Sequence, residues 1–228
     1  MQKSVIKLSK IDKAYQLGKK RFLPVIKGVS LDINKGDFVA FMGPSGSGKS
    51  SLMNILGLLD WPTAGLYELD GQNITEIPKR NFPKMRSKKV GFIFQSYNLL
   101  PRYSVYKNVE LPLIYGKEPR AKRKQKVLDA IKSVGLTERM HHKPNELSGG
   151  EAQRAAIARA LVNQPEIILA DEPTGNLDTK TGKEIMELLK SANNKGTTLL
   201  IVTHDPDIAK WANRTIRIVD GELEGSKS

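Results

Sequence analysis

A glycine-rich segment between an apolar run and a helical pattern carries the residues best suited to bind phosphate. It reads GPSGSGKS, Gly43 to Ser50, and follows the apolar run Phe38–Met42. Glycines let the backbone curl so that successive N–H groups face one anion, and a helix start adds its positive dipole end. Lys49 can reach the β- and γ-phosphates of a nucleotide, and the Ser50 hydroxyl can bind Mg²⁺. The segment therefore predicts a nucleotide-phosphate site.

The form Gly, four residues, Gly-Lys-Ser, set between a strand and a helix, is that of a P-loop. A chance Gly/Ser-rich turn is the alternative, and the strand and helix on either side argue against it. The residues predicted to contact nucleotide here are Gly43, Ser45, Gly46, Ser47, Gly48, Lys49, Ser50 and Ser51. P-loops serve kinases, GTPases, motors and ATPases. A guanine-specific site would need an Asn-Lys-x-Asp stretch late in the chain, and none is present there.

Two adjacent acids end an apolar run later in the chain. The stretch IILADEP covers Ile167 to Pro173. Asp171, at the end of the predicted strand, can hold Mg²⁺ through water, and Glu172 can polarise the water that attacks the phosphate. Two carboxylates beside a buried run are costly unless a cation or ligand uses them. A helix-capping role is the alternative for one of them, but it does not explain both.

A third segment places a serine and two glycines at a predicted helix start. It reads LSGGEAQR, and by itself it could be a serine N-cap followed by two glycines. Together with the two segments above, it resembles the signature of the ABC-transporter ATPases. That resemblance implies that Ser148, Gly149 and Gly150 contact the γ-phosphate of an ATP held by an opposite subunit. Many members of the family have Gln where this chain has Glu151. Glu also occurs there, so the difference does not indicate an inactive protein.

Four further positions match the family in their order along the chain. Gln95 resembles the glutamine that contacts Mg²⁺ and water, and His204 resembles the histidine that touches the γ-phosphate. Asp178 resembles the aspartate that communicates across the dimer. Tyr15 stands where the family has an aromatic residue that stacks on adenine, with Phe22 as the alternative.

The resemblance implies ATP and Mg²⁺ as cofactors. It assigns Glu172, His204 and Gln95 to catalysis, and Ser50, Gln95 and Asp171 to the metal. It also implies a homodimer with ATP at the interface, and a membrane-spanning permease as partner.

Apolar runs and helical patterns alternate over both ends of the chain. Unbroken apolar, β-branched runs are typical of buried parallel strands. We therefore predict an α/β fold, a P-loop NTPase core with a mainly parallel sheet, in which the early strands form a small antiparallel layer. Helices are predicted over residues 51–58, 120–134, 148–161 and 179–193. Strands are predicted over Val5–Leu8, Val29–Ile33, Phe38–Met42, Tyr67–Leu69, Val90–Phe94, Ile167–Leu169, Thr198–Val202 and Thr215–Val219.

The middle of the chain has few strand signals. We predict a single ABC ATPase domain over residues 1–228, with its core at about 1–94 and 162–228 and a helical insertion at about 95–161. The segment Gln95–Gly116 combines tyrosines with apolar residues, and we expect it to receive a short helix of the membrane partner. The basic run Lys117–Lys126 is interpreted as a solvated helix face rather than a lipid contact.

Composition limits the partners and the chemistry. Lys and Arg number 37 against 24 Asp and Glu, so the net charge is +13, which favours anionic partners such as nucleotide, nucleic acid or an acidic membrane face. The absence of cysteine excludes disulfides and thiolate chemistry. Met1–Lys10 lacks the apolar stretch of a signal peptide, and no apolar run is long enough to cross a bilayer. A cytoplasmic protein is expected, held on the inner face of the cell membrane through its permease.

Within the family, Phe94–Gly116 and Ala170–Gly182 resemble most closely the ATPases of macrolide-exporting, lipoprotein-releasing and antimicrobial-peptide systems, the MacB/LolD type. The implied function is a subunit that powers export or extraction of a macrolide, peptide or lipoprotein. The alternative is a regulatory ATPase that moves no cargo, in the manner of the cell-division ATPase FtsE. A DNA-maintenance ATPase would have long coiled coils between the P-loop and the signature. Only about a hundred globular residues stand there, so no nucleic-acid partner is expected.

Overall fold

The computed structural model describes residues 3–18 and 21–224; the other residues of the predicted 1–228 domain, including the first two of Met1–Lys10, lie outside the described residues. The strands are β1 (Ser4–Leu17), β2 (Arg21–Asn34), β3 (Phe38–Met42), β4 (Ala64–Leu69), β5 (Gln72–Asn73), β6 (Val90–Phe94), β7 (Ile167–Asp171), β8 (Thr198–Val202), β9 (Arg214–Val219) and β10 (Glu222–Leu223). The α-helices are α1 (Lys49–Leu56), α2 (Phe82–Lys89), α3 (Val105–Tyr115), α4 (Arg120–Ser133), α5 (Gly149–Leu161), α6 (Thr179–Asn194) and α7 (Pro206–Ala209). Over the described ranges, no helix combines the length and apolar character needed to cross a bilayer.

The chain divides into two compact units. The first contains the described residues up to Phe82 and from Leu200 onward, and the second is Pro83–Leu199. The predicted core and insertion boundaries remain a prediction. The three helices α3, α4 and α5 fall within the predicted insertion.

An antiparallel sheet in the first unit has the order β2-β1-β4-β5, which agrees with the predicted antiparallel layer. Its two long strands have 14 residues each, far longer than the predicted runs. The apolar alternation that we used for the prediction stops after Leu8, because the following residues are mostly polar. Register shifts, one of them between Leu8 and Ile11, let the hydrogen-bonded ladder continue through these polar residues.

The parallel pairings lie among the short apolar strands, as predicted. In the first unit β3 pairs with β9 in parallel, and β10 lies antiparallel to β9. In the second unit β6 pairs with β7 in parallel, with Phe94 opposite Asp171. Side chains of β3 from Phe38 to Phe41 are buried, which explains why their run shows no polar alternation.

Helix α1 begins two residues earlier than predicted and also ends earlier. It starts at Lys49, directly on the glycine-rich segment, so the segment and the helix start are one structure. It ends at Leu56 because Gly57 follows and Leu58 takes a left-handed conformation, with φ of 57°. Helices α2, α3 and α7 were not predicted.

Candidate functional site

The loop between β3 and α1 has a backbone shape that requires glycine. Gly43 has a φ of 151°, and a Cβ there would lie 2.0 Å from the carbonyl oxygen of Ile218. Gly48 caps α1 with a φ of 99°, and its Cβ would lie 2.7 Å from the carbonyl oxygen of Val25. Because the cap residue has no side chain, the N–H groups in the first turn of α1 receive no cap hydrogen bond from it. These donors face the position that an anion takes in a P-loop.

The ammonium of Lys49 is held over this loop. Its Nζ donates to the carbonyl oxygens of Gly43 at 2.8 Å and Pro44 at 2.7 Å, and it lies 3.4 Å from Ser47 Oγ. These partners are neutral, so the positive charge remains available to a phosphate. Ser47 is buried, whereas Ser45, Gly46 and Ser50 are exposed along the loop and Ser51 is half-buried behind it.

Tyr15 is fixed beside α1 by a small polar cluster. Its hydroxyl donates to Asp60 Oδ2 at 2.8 Å and lies 3.4 Å from Ser51 Oγ. The buried Lys13 lies 4.7 Å from the centre of the Tyr15 ring and donates to Asp60 Oδ1 at 2.6 Å. Burial, together with the bond to Asp60, raises the pKa of Tyr15. Burial also acts to raise the pKa of Asp60, but the hydrogen bonds from Lys13, the Trp61 N–H and Tyr15 lower it overall.

The pairing of β1 with β2 separates the two candidates for adenine stacking. Tyr15 lies opposite Leu23, and Phe22 lies opposite Gln16. Since neighbouring residues of a strand point to opposite faces, Phe22 lies on the face away from Tyr15. Phe22 is 62% exposed. The link to Ser51, the residue that follows the P-loop, favours Tyr15.

His204 follows β8 in the first unit. The N–H of Thr203 donates to the carbonyl oxygen of Phe41 at 3.1 Å. This bond ties the end of β8 to the end of β3. Phe41 is separated from Gly43, the first residue of the P-loop, by Met42 alone. The structure therefore brings the exposed His204 to the strand end that carries the P-loop.

In the second unit, Gln95 and Glu172 leave the sheet side by side. Phe94 and Asp171 are opposite each other at the ends of β6 and β7, and the two candidate residues come next. Gln95 Nε2 donates to Asn176 Oδ1 at 3.2 Å, and Asn176 Nδ2 donates to the Gln95 carbonyl at 2.9 Å. Glu172 has a φ of 44°, which is strained for a residue other than glycine.

The signature segment starts α5 with a capping box. Ser148 Oγ accepts from the N–H of Glu151 at 3.3 Å, and Glu151 Oε2 accepts from the Ser148 N–H at 2.8 Å and from its hydroxyl at 2.9 Å. Arg139 Nε donates to Glu151 Oε1 at 3.0 Å. The bond from the Ser148 N–H, with the others, lowers the pKa of Glu151. The glutamate that departs from the common family residue thus has a structural role.

The signature glycines lie close to the segment that carries Asp178. A Cβ at Gly149 would lie 3.0 Å from the Tyr97 hydroxyl, and one at Gly150 would lie 2.6 Å from Thr181 Cγ2. Asp178 caps α6, where its Oδ1 accepts from the Thr181 N–H at 3.0 Å, and hydrogen bonds from Thr181 lower its pKa. The helix-capping acid of this region is therefore Asp178, whereas Asp171 ends β7 and Glu172 lies in the turn after it.

Sequence reasoning missed several residues that hold the site. Arg159 donates to the carbonyl oxygens of Asn98 at 2.5 Å and Tyr97 at 2.8 Å, and burial lowers its pKa. Tyr97 and Asn98 are both left-handed, with φ of 60° and 49°. Gln153, also on α5, holds the turn after Glu172. The sequence signal that could have revealed Gln153 is a polar residue on a helix face made mostly of alanine. For Lys13 and Asp60, the sequence offers none.

Comparisons with known proteins identify the family of the chain. The model of the ABC transporter family matches residues 26–175. The uncharacterized ABC transporter ATP-binding protein YknY of Bacillus subtilis is 49% identical over 98% of this chain and 97% of its own length. MacB, a macrolide export ATP-binding/permease protein of Bdellovibrio bacteriovorus, is 50% identical over 98% of this chain, which spans 34% of MacB. The dimeric post-hydrolysis structure of MJ0796 of Methanocaldococcus jannaschii, bound to ADP and Pi, is 45% identical, with a TM-score of 0.87 and 96% of both chains covered.

The chain belongs to the ABC transporter family. It is an ATP-binding subunit of that family and an ATPase, with the α/β fold of the P-loop NTPases, and the resemblance to the MacB/LolD type is confirmed.

Proposed function

We propose that the chain works as a homodimer that powers a membrane permease for export or extraction of a macrolide, peptide or lipoprotein. The observation that carries the proposal is the presence of two helix starts of different construction, capped by Gly48 at α1 and by Ser148 at α5. In a dimer, each ATP can be bound by the start of α1 from one copy and by the start of α5 from the other copy. The dimeric MJ0796 structure and the identity to MacB support this arrangement.

In the proposed mechanism Lys49 binds the β- and γ-phosphates, and Tyr15 stacks on adenine. Glu172 accepts a proton from the attacking water, and His204 holds the γ-phosphate in line. The segment Ser148–Gly150 of the second copy completes the site. ATP thereby joins the two copies, and cleavage to ADP and phosphate weakens the interface by charge repulsion.

Magnesium fits this donor set. Ser50, Gln95 and Asp171 offer hydroxyl, amide and carboxylate oxygens, the ligand types that Mg²⁺ prefers. The amide nitrogen of Gln95 is already bonded to Asn176, so its oxygen is the atom left for a metal. When bound, Mg²⁺ supplies neutralisation of the phosphate charge.

The test uses Glu172→Gln. Removal of the general base should lower turnover by about a hundredfold or more. With saturating ATP this variant should form a dimer, since a ligand shared by both copies stabilises the closed state, whereas wild type without nucleotide should be monomeric at micromolar concentration. Light scattering and phosphate release measure both. Glu187→Gln, at an exposed glutamate of α6, is the control. Wild-type turnover, or a strictly monomeric Glu172→Gln with ATP, would disprove the proposal.

The permease is proposed to bind the second unit at a groove of about 480 Å³. Apolar residues such as Phe92, Leu100, Leu111 and Tyr115 line it, and Arg86 stands among them. Leu100 is 45% exposed and lies within the segment Gln95–Gly116. An open apolar groove of this kind suits an amphipathic helix. Through this contact the chain would lie on the inner face of the cell membrane.

Not all of Gln95–Gly116 is surface. Val105 is fully buried and Tyr106 is half-buried, so both pack the unit itself rather than a partner. Leu100 and Tyr103 are exposed at 45% and 44%.

The paired substitution Leu100→Glu with Tyr103→Glu should leave basal ATPase nearly intact and abolish co-purification with the permease. Leu66→Glu, at an exposed leucine of β4, is the control. Normal permease binding by the double variant would place the contact elsewhere.

A further inference from the structure

Gln153 is a polar side chain on a buried helix face. It is fully buried, and its buried neighbours on α5 are alanines and one isoleucine, Ile157. Its Nε2 donates to the carbonyl oxygen of Pro173 at 2.5 Å, while none of the described residues donates to its Oε1. A buried carbonyl oxygen without a donor destabilises the folded state, because it has lost its hydrogen bonds to water. An apolar residue would avoid that cost, so the bond to Pro173 is what a glutamine adds here.

That bond acts on the turn that carries the general base. Pro173 follows Glu172, whose left-handed φ of 44° is strained and needs support from its surroundings. Gly175 N–H donates to the Glu172 carbonyl at 3.1 Å on one side of the turn. Gln153 holds the next carbonyl from the helix side. Together these two bonds fix the backbone on which the Glu172 carboxylate is mounted.

Gln153 also shares a rigid element with the signature. Helix α5 runs without interruption from Gly149 to Leu161. At 1.5 Å per residue, Gln153 lies only about 7.5 Å along the axis from Ser148. A displacement of the helix start therefore moves the Gln153 amide, and with it the Pro173 carbonyl.

Resting on the proposed function, we infer that Gln153 is a positioning residue that links the two ATP sites of the dimer. The start of α5 contacts the nucleotide held by the second copy, and Gln153 passes the position of that helix to Glu172 of its own copy. Each site then becomes hydrolytically competent only when the other holds ATP. Hydrolysis by the dimer is consequently cooperative in ATP.

The experiment is Gln153→Met in the full chain, because methionine is similar in length and donates no hydrogen bond. We expect kcat to fall about tenfold or more, as for a small displacement of a catalytic group. The Hill coefficient for ATP should fall from about 2 toward 1, while the Kd for ATP of the monomer changes less than about twofold. The substitution removes the oxygen that has no donor, but it also leaves the buried Pro173 carbonyl oxygen without its Gln153 donor; the two effects oppose each other, so Tm should change little. Gln125→Met, at an exposed glutamine of α4, is the matched control.

Two further arms make the result decisive. In a Glu172→Gln background, Gln153→Met should lower turnover no further, because both changes act through one carboxylate. In Gln153→Glu, the carboxyl can donate to Pro173 only when protonated, so activity should be lost as pH rises through its pKa, a step absent from Gln125→Glu. Wild-type kcat and Hill coefficient in Gln153→Met, with wild type cooperative and Glu172→Gln inactive, would overturn the inference alone. A Glu172→Gln protein that stays monomeric with ATP would overturn it together with the proposed function.

Discussion

Two helix starts in this chain are proposed to bind phosphate, and they are built in opposite ways. At α1 the cap is Gly48, which has no side chain, and the loop before it is shaped by backbone alone. At α5 the cap is Ser148, whose hydroxyl and N–H are both bound to the carboxylate of Glu151. The first start can receive an anion directly. The second already contains the negative charge of Glu151, so under the proposed function the phosphate is brought to it by another copy that binds the nucleotide tightly. This difference is suited to a site completed only by dimerisation.

The largest expected difference between the two segments comes from adding a methyl group to one glycine in each. Gly43→Ala places a Cβ 2.0 Å from the backbone oxygen of Ile218 at a φ of 151°. We expect it to lower the free energy of unfolding by about 3 kcal/mol or more. Gly150→Ala meets only the side-chain methyl of Thr181 and gains helix propensity, so the change should stay within about 1 kcal/mol. Urea unfolding compares the two. Equal losses would mean that both starts depend on backbone shape.

A second contrast separates binding by one copy from binding by two. Lys49→Ala should weaken ATP binding by about 1.5–3 kcal/mol, because it removes a charged hydrogen-bond donor. Ser148→Arg should leave the affinity of the monomer unchanged but prevent ATP-dependent dimerisation in the Glu172→Gln background. Fluorescent-nucleotide titration and light scattering measure these effects, with the exposed Lys7→Ala as control. A monomer affinity reduced by Ser148→Arg would contradict the assignment of the signature to the second copy.

A third set of substitutions, all in the first unit, tests whether Tyr15 or Phe22 stacks on adenine. Tyr15→Ala should cost about 1–3 kcal/mol of ATP affinity through lost stacking. Tyr15→Phe keeps the ring and loses only the hydroxyl contacts with Asp60 and Ser51, so it should cost less. Phe22→Ala, on the other face of the hairpin, should have no effect on a nucleotide titration. The reverse order would give the stacking role to Phe22.

The smallest expected effect concerns the start of α5, where the Glu151 carboxylate accepts hydrogen bonds from Ser148. The pKa of Glu151 is lowered in the folded chain, so its ionised form favours folding. This stabilisation is complete above the ordinary glutamate pKa of about 4.3 and is lost as pH falls through the lower folded value. Glu151→Gln should remove that acid dependence while changing stability by less than about 1 kcal/mol at neutral pH. Tm measured across the acid range tests this, and identical curves for the two proteins would refute it.

Short buried strands were the easiest elements to predict. The strands β3, β6 and β8 begin and end at the predicted residues, because polar residues or glycine bound runs that are almost entirely apolar. Helix α3 escaped prediction because Pro112 lies inside it, and proline normally ends a helix. Its own buried Asn108 ties the helix to the segment before it, since Asn108 donates to the carbonyl oxygens of Leu100, Tyr103 and Ser104.

The residues of the candidate site also fall into two groups, those that the sequence predicts and those that it does not. Residues that a motif places next to each other, such as Lys49 and Ser50, can be found from spacing. The residues that support them cannot, since Lys13 holds Asp60 across 47 positions and Arg159 holds Tyr97 across 62. Such pairs depend on how distant segments pack, which no local pattern encodes.

The contact between α5 and β6 limits how this subunit can be redesigned. A Cβ at Gly91 would lie 2.6 Å from the Ala160 carbonyl oxygen, so helix and strand touch backbone to backbone. Any larger residue on either side would push the two apart. A library of variants that aims to fit the subunit to another transporter should therefore leave the residues of this α5–β6 contact unchanged. Variation belongs on solvent-facing positions of α3, such as Ile114 and Tyr115, where the chain has room to change.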